Sequence, residues 1–264
     1  MPVKTIKLTR LLRNEYNSLF NSLEMLPAKK SEVHSVINNL TAHESRYQQV
    51  SIETRVPWYF IAIIHQLEST GNFKRHLHNG DPLDERTVQV PKGRPKNGIP
   101  PFTWEESAID AMQLQGYRDL SCWSLTALLY RFEKYNGLGY RNRHNTPSPY
   151  LWSYSQHYKK GKYTADGKYN PDAISKQPGV AVLLKRMMLM NDDTLTAMQE
   201  PERKLKELFQ VPYNPSKFNS HARELQKMLN SFGYDLNADG LAGKLTSEAV
   251  LEFSGKYLAG DPRI

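Results

Sequence analysis

Glu68 is the side chain whose setting speaks most directly of chemistry. It lies in the stretch His65-Gln66-Leu67-Glu68-Ser69-Thr70-Gly71-Asn72-Phe73. Trp58, Phe60, Ile61, Ile63, Ile64 and Leu67 precede it and cover most of the circumference of a helix predicted over residues 56–70. Pro57 suits the first turn of that helix and Gly71 its end. A carboxyl at the C-terminal end of a buried helix has its charged form disfavoured twice, by desolvation and by the negative end of the helix dipole. A carboxylic acid that keeps its proton near neutral pH can cleave a glycosidic bond by general-acid catalysis. The pattern alone also fits a glutamate facing solvent at a frayed helix end.

Hydrolysis with inversion needs a second carboxylate about 6.5–9.5 Å away to activate water, and a nucleophile sits nearer, at about 5–5.5 Å. Asp81, in His78-Asn79-Gly80-Asp81, is one candidate, and Gly80 lets the backbone turn sharply beside it. Asp84 and Glu85 compete, and Asn-Gly-Asp is also an ordinary turn. An aromatic and amide-rich section holds Tyr135, Asn136, Gly137, Tyr140, Arg141, Tyr150, Trp152 and Tyr154. Sugar rings offer apolar faces to aromatics, and their hydroxyl and acetamido groups bond to Asn, Gln and Arg. Tyr150 and Trp152 fit core packing equally well, while Trp58, Trp104 and Trp123 read as core.

Two metal readings compete. His65-x-x-Glu68 puts two ligand types on one helix face, and His76-x-His78 with Asp81 would complete a zinc site, but the His-x-x-x-His spacing of metalloprotease helices is absent. Asp235-Leu236-Asn237-Ala238-Asp239-Gly240 matches the start of a calcium loop, yet Thr246 stands at the twelfth position and Lys244 would set a cation beside the ion. No metal or other cofactor is expected.

The elements that must hold these residues are mostly helical. Over residues 5–54, Leu8, Leu11, Leu12, Tyr16, Leu19, Phe20 and Leu23 recur at helical steps. Pro27 breaks the run, and Val33, Val36, Ile37 and Leu40 restart it. Residues 71–103 are rich in Gly and Pro, with one extended piece at Arg86–Val90. Helices are predicted again over 105–116, 121–135 and 176–190. Pro201, Pro212 and Pro215 punctuate a linker over 191–217 around a short charged helix at 202–209. Residues 218–264 then form a pattern of their own. The expected division is therefore 1–190, 191–217 and 218–264.

Across 264 residues the net charge is +8, which favours an anionic partner without choosing one. No helix-turn-helix, zinc-finger or uninterrupted basic helix points to nucleic acid. The longest apolar run, Phe60–Ile64, is far short of the roughly 20 residues that span a bilayer. The lone Cys122 forms no internal disulfide and reads as a small buried side chain. Residues Met1–Arg13 hold no secretory h-region. A soluble monomer without membrane or nucleic-acid partners is the expectation.

Glu68-Ser69-Thr70-Gly71-Asn72-Phe73 resembles the Glu-Ser-x-x-x-Phe start of the lysozyme-like superfamily, the goose-type lysozymes and soluble lytic transglycosylases. Thr87-Val88-Gln89-Val90 resembles that family's extended segment with a substrate-contacting Gln. Lys134-Tyr135-Asn136-Gly137 resembles its Tyr-Asn-Ala-Gly motif, whose Tyr and Asn line the sugar cleft. The resemblance implies a mainly α lysozyme-like domain with Glu68 as acid, Asp81 as the second carboxylate, and Gln89, Tyr135 and Asn136 on the glycan. In the C-terminal part, Leu225-Gln226, Asp239-Gly240, Ala249-Val250 and Phe253 are similar to a small three-helix peptidoglycan-binding domain. Together they imply a cell-wall muramidase of the phage endolysin kind, acting on bacterial peptidoglycan from the host interior or after export. A lytic transglycosylase, a zinc peptidase of the wall and a non-catalytic wall binder are the alternatives.

Overall fold

The computed structural model describes residues 6–118, 120, 122–144, 146–165, 167–190 and 207–264. The chain is mainly α-helical, 50% helix and 5% strand, with eleven helices among the described residues. In chain order these are α1 (Arg10–Asn21), α2 (Lys30–Ala42), α3 (Glu44–Thr54), α4 (Trp58–Ser69), α5 (Trp104–Leu114), α6 (Leu125–Asn136), α7 (Gly139–His144), α8 (Pro149–Trp152), α9 (Val180–Met190), α10 (Ser220–Ser231) and α11 (Lys244–Ser254). A two-stranded hairpin, β1 (Lys162–Ala165) and β2 (Lys168–Asn170), pairs Lys162 with Asn170 and Tyr163 with Tyr169, antiparallel. No described helix is long and apolar enough to cross a membrane.

The described residues pack as two compact units, each assembled from separate stretches of sequence. One draws on Glu24–Leu120 and Pro147–Met187, the other on Met1–Leu23, Ser121–Thr146 and Met188–Ile264. Most of the expected linker, with the greater part of its charged helix at 202–209, lies outside the described residues.

The Glu68 unit is built round α4. Its sequence is apolar on nearly every side, so Tyr59 to Ile64 are all buried, and α2 and α3 pack against it. Packing from several sides is the one arrangement that takes so much apolar surface out of water. Helix α5, which packs on α3, starts with a reciprocal cap. Thr103 accepts from the Glu106 N–H, and the Glu106 carboxylate accepts from the Thr103 N–H. Trp58, expected in the core, is only half-buried, whereas Trp104 and Trp152 are fully buried.

In the other unit, Thr9 caps α1, whose Leu12, Tyr16 and Phe20 form the buried stripe. Helix α1 packs on α6 and α11, and α10 packs on α11. Phe232 stacks on Phe253 with centroids 5.5 Å apart, and its carbonyl accepts from the Leu8 N–H at 2.9 Å. Arg13 lies over the Phe253 ring, and Tyr130 donates to the Ile6 carbonyl at 2.6 Å. Residues 218–264 thus share their core with the chain's beginning. Cys122 is buried and in no disulfide, its thiol donates to Ser124, and its carbonyl accepts from the buried Arg131.

Gln226 holds the loop that resembles a calcium site. Its amide nitrogen donates to Asp239 (2.9 Å), the Leu241 carbonyl (3.0 Å) and Thr246 (3.1 Å), while its oxygen accepts from the Gly240 N–H at 2.8 Å. Asp239 also accepts from the Leu241 N–H, so it serves the turn. Gly240 has φ +79°, and a Cβ there would meet the Phe218 ring at 2.7 Å, so only glycine fits.

Candidate active site

Glu68 stands in the last turn of α4, which the backbone ends abruptly. Thr70 takes a left-handed conformation at φ 53° and Gly71 follows at φ 70°. The Thr70 N–H donates to the Gln66 carbonyl and the Gly71 N–H to that of His65, closing the helix end. The break begins one residue before the glycine that the sequence marks. A β-branched residue there is strained by about 1–2 kcal/mol.

Helix α4 is buried, but the Glu68 side chain is exposed, as in the solvent-facing reading the sequence left open. Protein around it still desolvates its charge, and this raises its pKa above the ordinary carboxyl value. The Tyr150 hydroxyl donates to Oε1 at 3.1 Å, which favours the ionised form and partly opposes the rise. Tyr150 is otherwise buried on α8.

Behind the acid, Phe73, His65, Tyr47 and Trp104 form an aromatic cluster. His65 lies 4.6 Å from both Phe73 and Trp104, centroid to centroid. Arg46 covers Phe73 at 3.9 Å and pairs with Glu105. Burial holds His65 neutral, with its pKa drawn down to about 4, and Tyr47 lies 3.0 Å from its Nδ1. This packing fixes the turn that follows Glu68.

The loop carrying Asp81 folds back on the end of α4. The His76 N–H donates to the Asp81 carbonyl and the Gly80 N–H to the His76 carbonyl. A Cβ on Gly80 would lie 3.7 Å from the Glu68 carbonyl oxygen, so the two expected carboxylates belong to one local structure. Asp81 is buried, and its Oδ2 accepts from the Val88 N–H (2.8 Å), the Gln89 N–H (3.0 Å) and the Asn79 amide (3.0 Å). The Gln89 N–H is the leading cause that holds the Asp81 carboxyl below its ordinary pKa. Oδ1 accepts no hydrogen bond among the described residues. The Arg86–Val90 piece is irregular chain, tied by Asp81 on one side and by Thr87 on the other.

Comparisons with protein families, curated proteins and solved structures give no match for this chain.

The site residues divide between the two units. Glu68, Asp81, the exposed Gln89 and Tyr150 belong to one. Tyr135, half-buried, Asn136, exposed, Tyr140, buried, and Arg141 belong to the other. Arg141 is committed within its own unit. It pairs with buried Glu133 at 2.9 Å and with Glu15 at 2.9 Å, and Glu133 also accepts from the Tyr16 hydroxyl.

The histidines face partners of their own. His76 contacts Ser107 and the Glu85 carbonyl, each at 2.8 Å, and His78 contacts Asp110 at 2.8 Å. They anchor the Asp81 loop to α5. Among the described residues no three of His, Cys, Asp or Glu converge on a point where a metal would sit. Sequence reasoning missed Tyr150 as the partner of Glu68, and Ser107, Asp110 and Thr87 as anchors. None of them carries a local spacing signal.

Proposed function

We propose that the protein is a peptidoglycan hydrolase that cleaves the β-1,4 bond between N-acetylmuramic acid and N-acetylglucosamine, with Glu68 as general acid. One observation carries this reading: two carboxyls in one local structure have their proton affinities driven apart. Glu68 is raised by desolvation, and Asp81 is lowered by the N–H groups it accepts. Such a split assigns an acid and an ionised partner. Glu68 would protonate the leaving oxygen, and ionised Asp81 would steady positive charge on the sugar or activate water through Oδ1. Gln89, whose N–H is held by the same carboxylate, would meet a glycan with its exposed side chain. The C-terminal part, by its resemblance to wall-binding modules, would tether the enzyme to an insoluble substrate.

The threefold engagement of Oδ2 supports a second reading, in which Asp81 only anchors the 87–89 backbone and the substrate closes an anhydro ring. Digestion of purified sacculi followed by mass spectrometry of the released ends separates the two. Reducing ends are expected, and 1,6-anhydro ends would establish the second. Loss of a general acid lowers the rate by about 10²–10⁴-fold, so Glu68→Gln should fall in that range. Near-full activity in Glu68→Gln would remove Glu68 from the mechanism.

A further inference from the structure

A concavity in the unit formed by the two ends of the chain plays no part in the proposed reaction. Its volume is about 570 Å³, within the roughly 300–1,000 Å³ usual for small-ligand sites. Its walls come from the start of the chain, α7 and α11.

Leu11 and Glu15, four residues apart, share one stripe of α1, and Lys7 lies before the helix, outside its cap at Thr9. The core stripe Leu8, Leu12, Tyr16 and Phe20 is a different one. Lys7 and Glu15 both line the concavity. Each belongs to an ion pair across the concavity. Lys7 meets Glu252 at 3.0 Å, both about 43% exposed, and Glu15 meets Arg141 at 2.9 Å. Between them Leu11 is 81% exposed, an aliphatic side chain with water where packing would be expected.

The charged groups keep unused capacity. Arg141 engages three of its five N–H groups, two on Glu133 and one on Glu15. Lys7 gives one of its three to Glu252. Acids and bases alternate, so a uniform polyanion is repelled as much as it is attracted. No aromatic ring lines the wall, so a sugar face finds no platform.

We propose that this groove binds a short zwitterionic peptide. Carboxylates of the peptide would meet Arg141 and Lys7, its ammonium groups Glu15 and Glu252, and its alkyl part Leu11. Peptidoglycan stems have this chemistry, and only that choice of source rests on the proposed function.

The test is titration of the full chain with the free wall tetrapeptide Ala-γ-Glu-diaminopimelate-Ala, followed by NMR shifts and calorimetry, beside chitotetraose. Saturable tetrapeptide binding is expected. A hydrogen bond to a charged group is worth about a factor of ten or more, so Glu252→Lys should weaken it about tenfold. Leu11→Ser should weaken it also, and Glu68→Gln should leave it unchanged. Both groove substitutions are at exposed positions, and circular dichroism checks their fold. The proposal is overturned if the tetrapeptide gives no response up to about 10 mM, if either groove variant binds it as wild type does, or if the variants lose chitotetraose instead. If the peptide binds as expected while Glu68→Gln still digests sacculi, the assignment of the acid fails and the groove stands.

Discussion

Asp81→Asn keeps the size of the side chain and removes its charge, which isolates what the carboxylate does for its loop. Oδ2 accepts three N–H bonds, at 2.8, 3.0 and 3.0 Å. Charge-assisted bonds contribute about 1.5–3 kcal/mol and neutral ones about 0.5–1.5 kcal/mol. Neutralisation therefore costs roughly 1 kcal/mol per bond, about 2–3 kcal/mol in all. Opening the 87–89 backbone should become easier by that amount. Each 1.4 kcal/mol is about tenfold, so deuterium exchange at the Val88 and Gln89 amides should quicken roughly 30- to 150-fold. The effect has a pH signature. Because the Asp81 pKa is lowered on folding, its contribution is present above the ordinary value of 3.8 and is lost as pH falls through the folded value. The gap between wild type and variant should be full at pH 6 and close below pH 3.8. Unchanged exchange at Val88 and Gln89, or a gap that persists in acid, would refute the claim that ionised Asp81 holds this segment.

Tyr150→Phe removes a bond that favours ionised Glu68, so the acid should keep its proton to higher pH. The alkaline limb of the pH–rate profile for wall digestion moves up, and a limb that stays or moves down contradicts the pairing. Glu68→Gln should be more stable than wild type at pH 7, because the raised pKa makes the folded state lose stability as pH rises above the ordinary 4.5. Thermal melts at pH 7 and pH 4 should show a gain only at the former. Gln226→Leu strands the Gly240 N–H and the groups that accept from the amide, costing about 3 kcal/mol. A denaturation midpoint equal to wild type's would show that the network is dispensable.

Periodicity and caps made the helices legible. Leu12, Tyr16 and Phe20 declare α1, the Thr103–Glu106 pair declares the start of α5, and the apolar ring of α4 declares a central helix. The short α7 and α8 and the β1–β2 hairpin fall in a Tyr-, Asn- and Gly-rich stretch where neither helical nor alternating spacing shows. Glu68 could be picked out because its helix ends there. Its exposure was one of two readings the pattern left open, because the apolar run stops at Leu67 and says nothing of what stands over the next side chain. Tyr150 lies 82 residues from Glu68, so the pairing is purely tertiary. Arg141 looked like a sugar ligand among its aromatic neighbours, yet Glu133, eight residues earlier, claims it across the α6–α7 turn.

The ring stack of Phe232 on Phe253 bears on protein engineering. Tyr130, Arg13 and the backbone of Leu8 all lean on it. Removing or replacing the segment after residue 217 therefore strips a partner from helices that start at Arg10 and Leu125. Such an exchange would leave the remaining protein with a raw apolar scar, so a graft has to carry matching residues at the front of the chain as well.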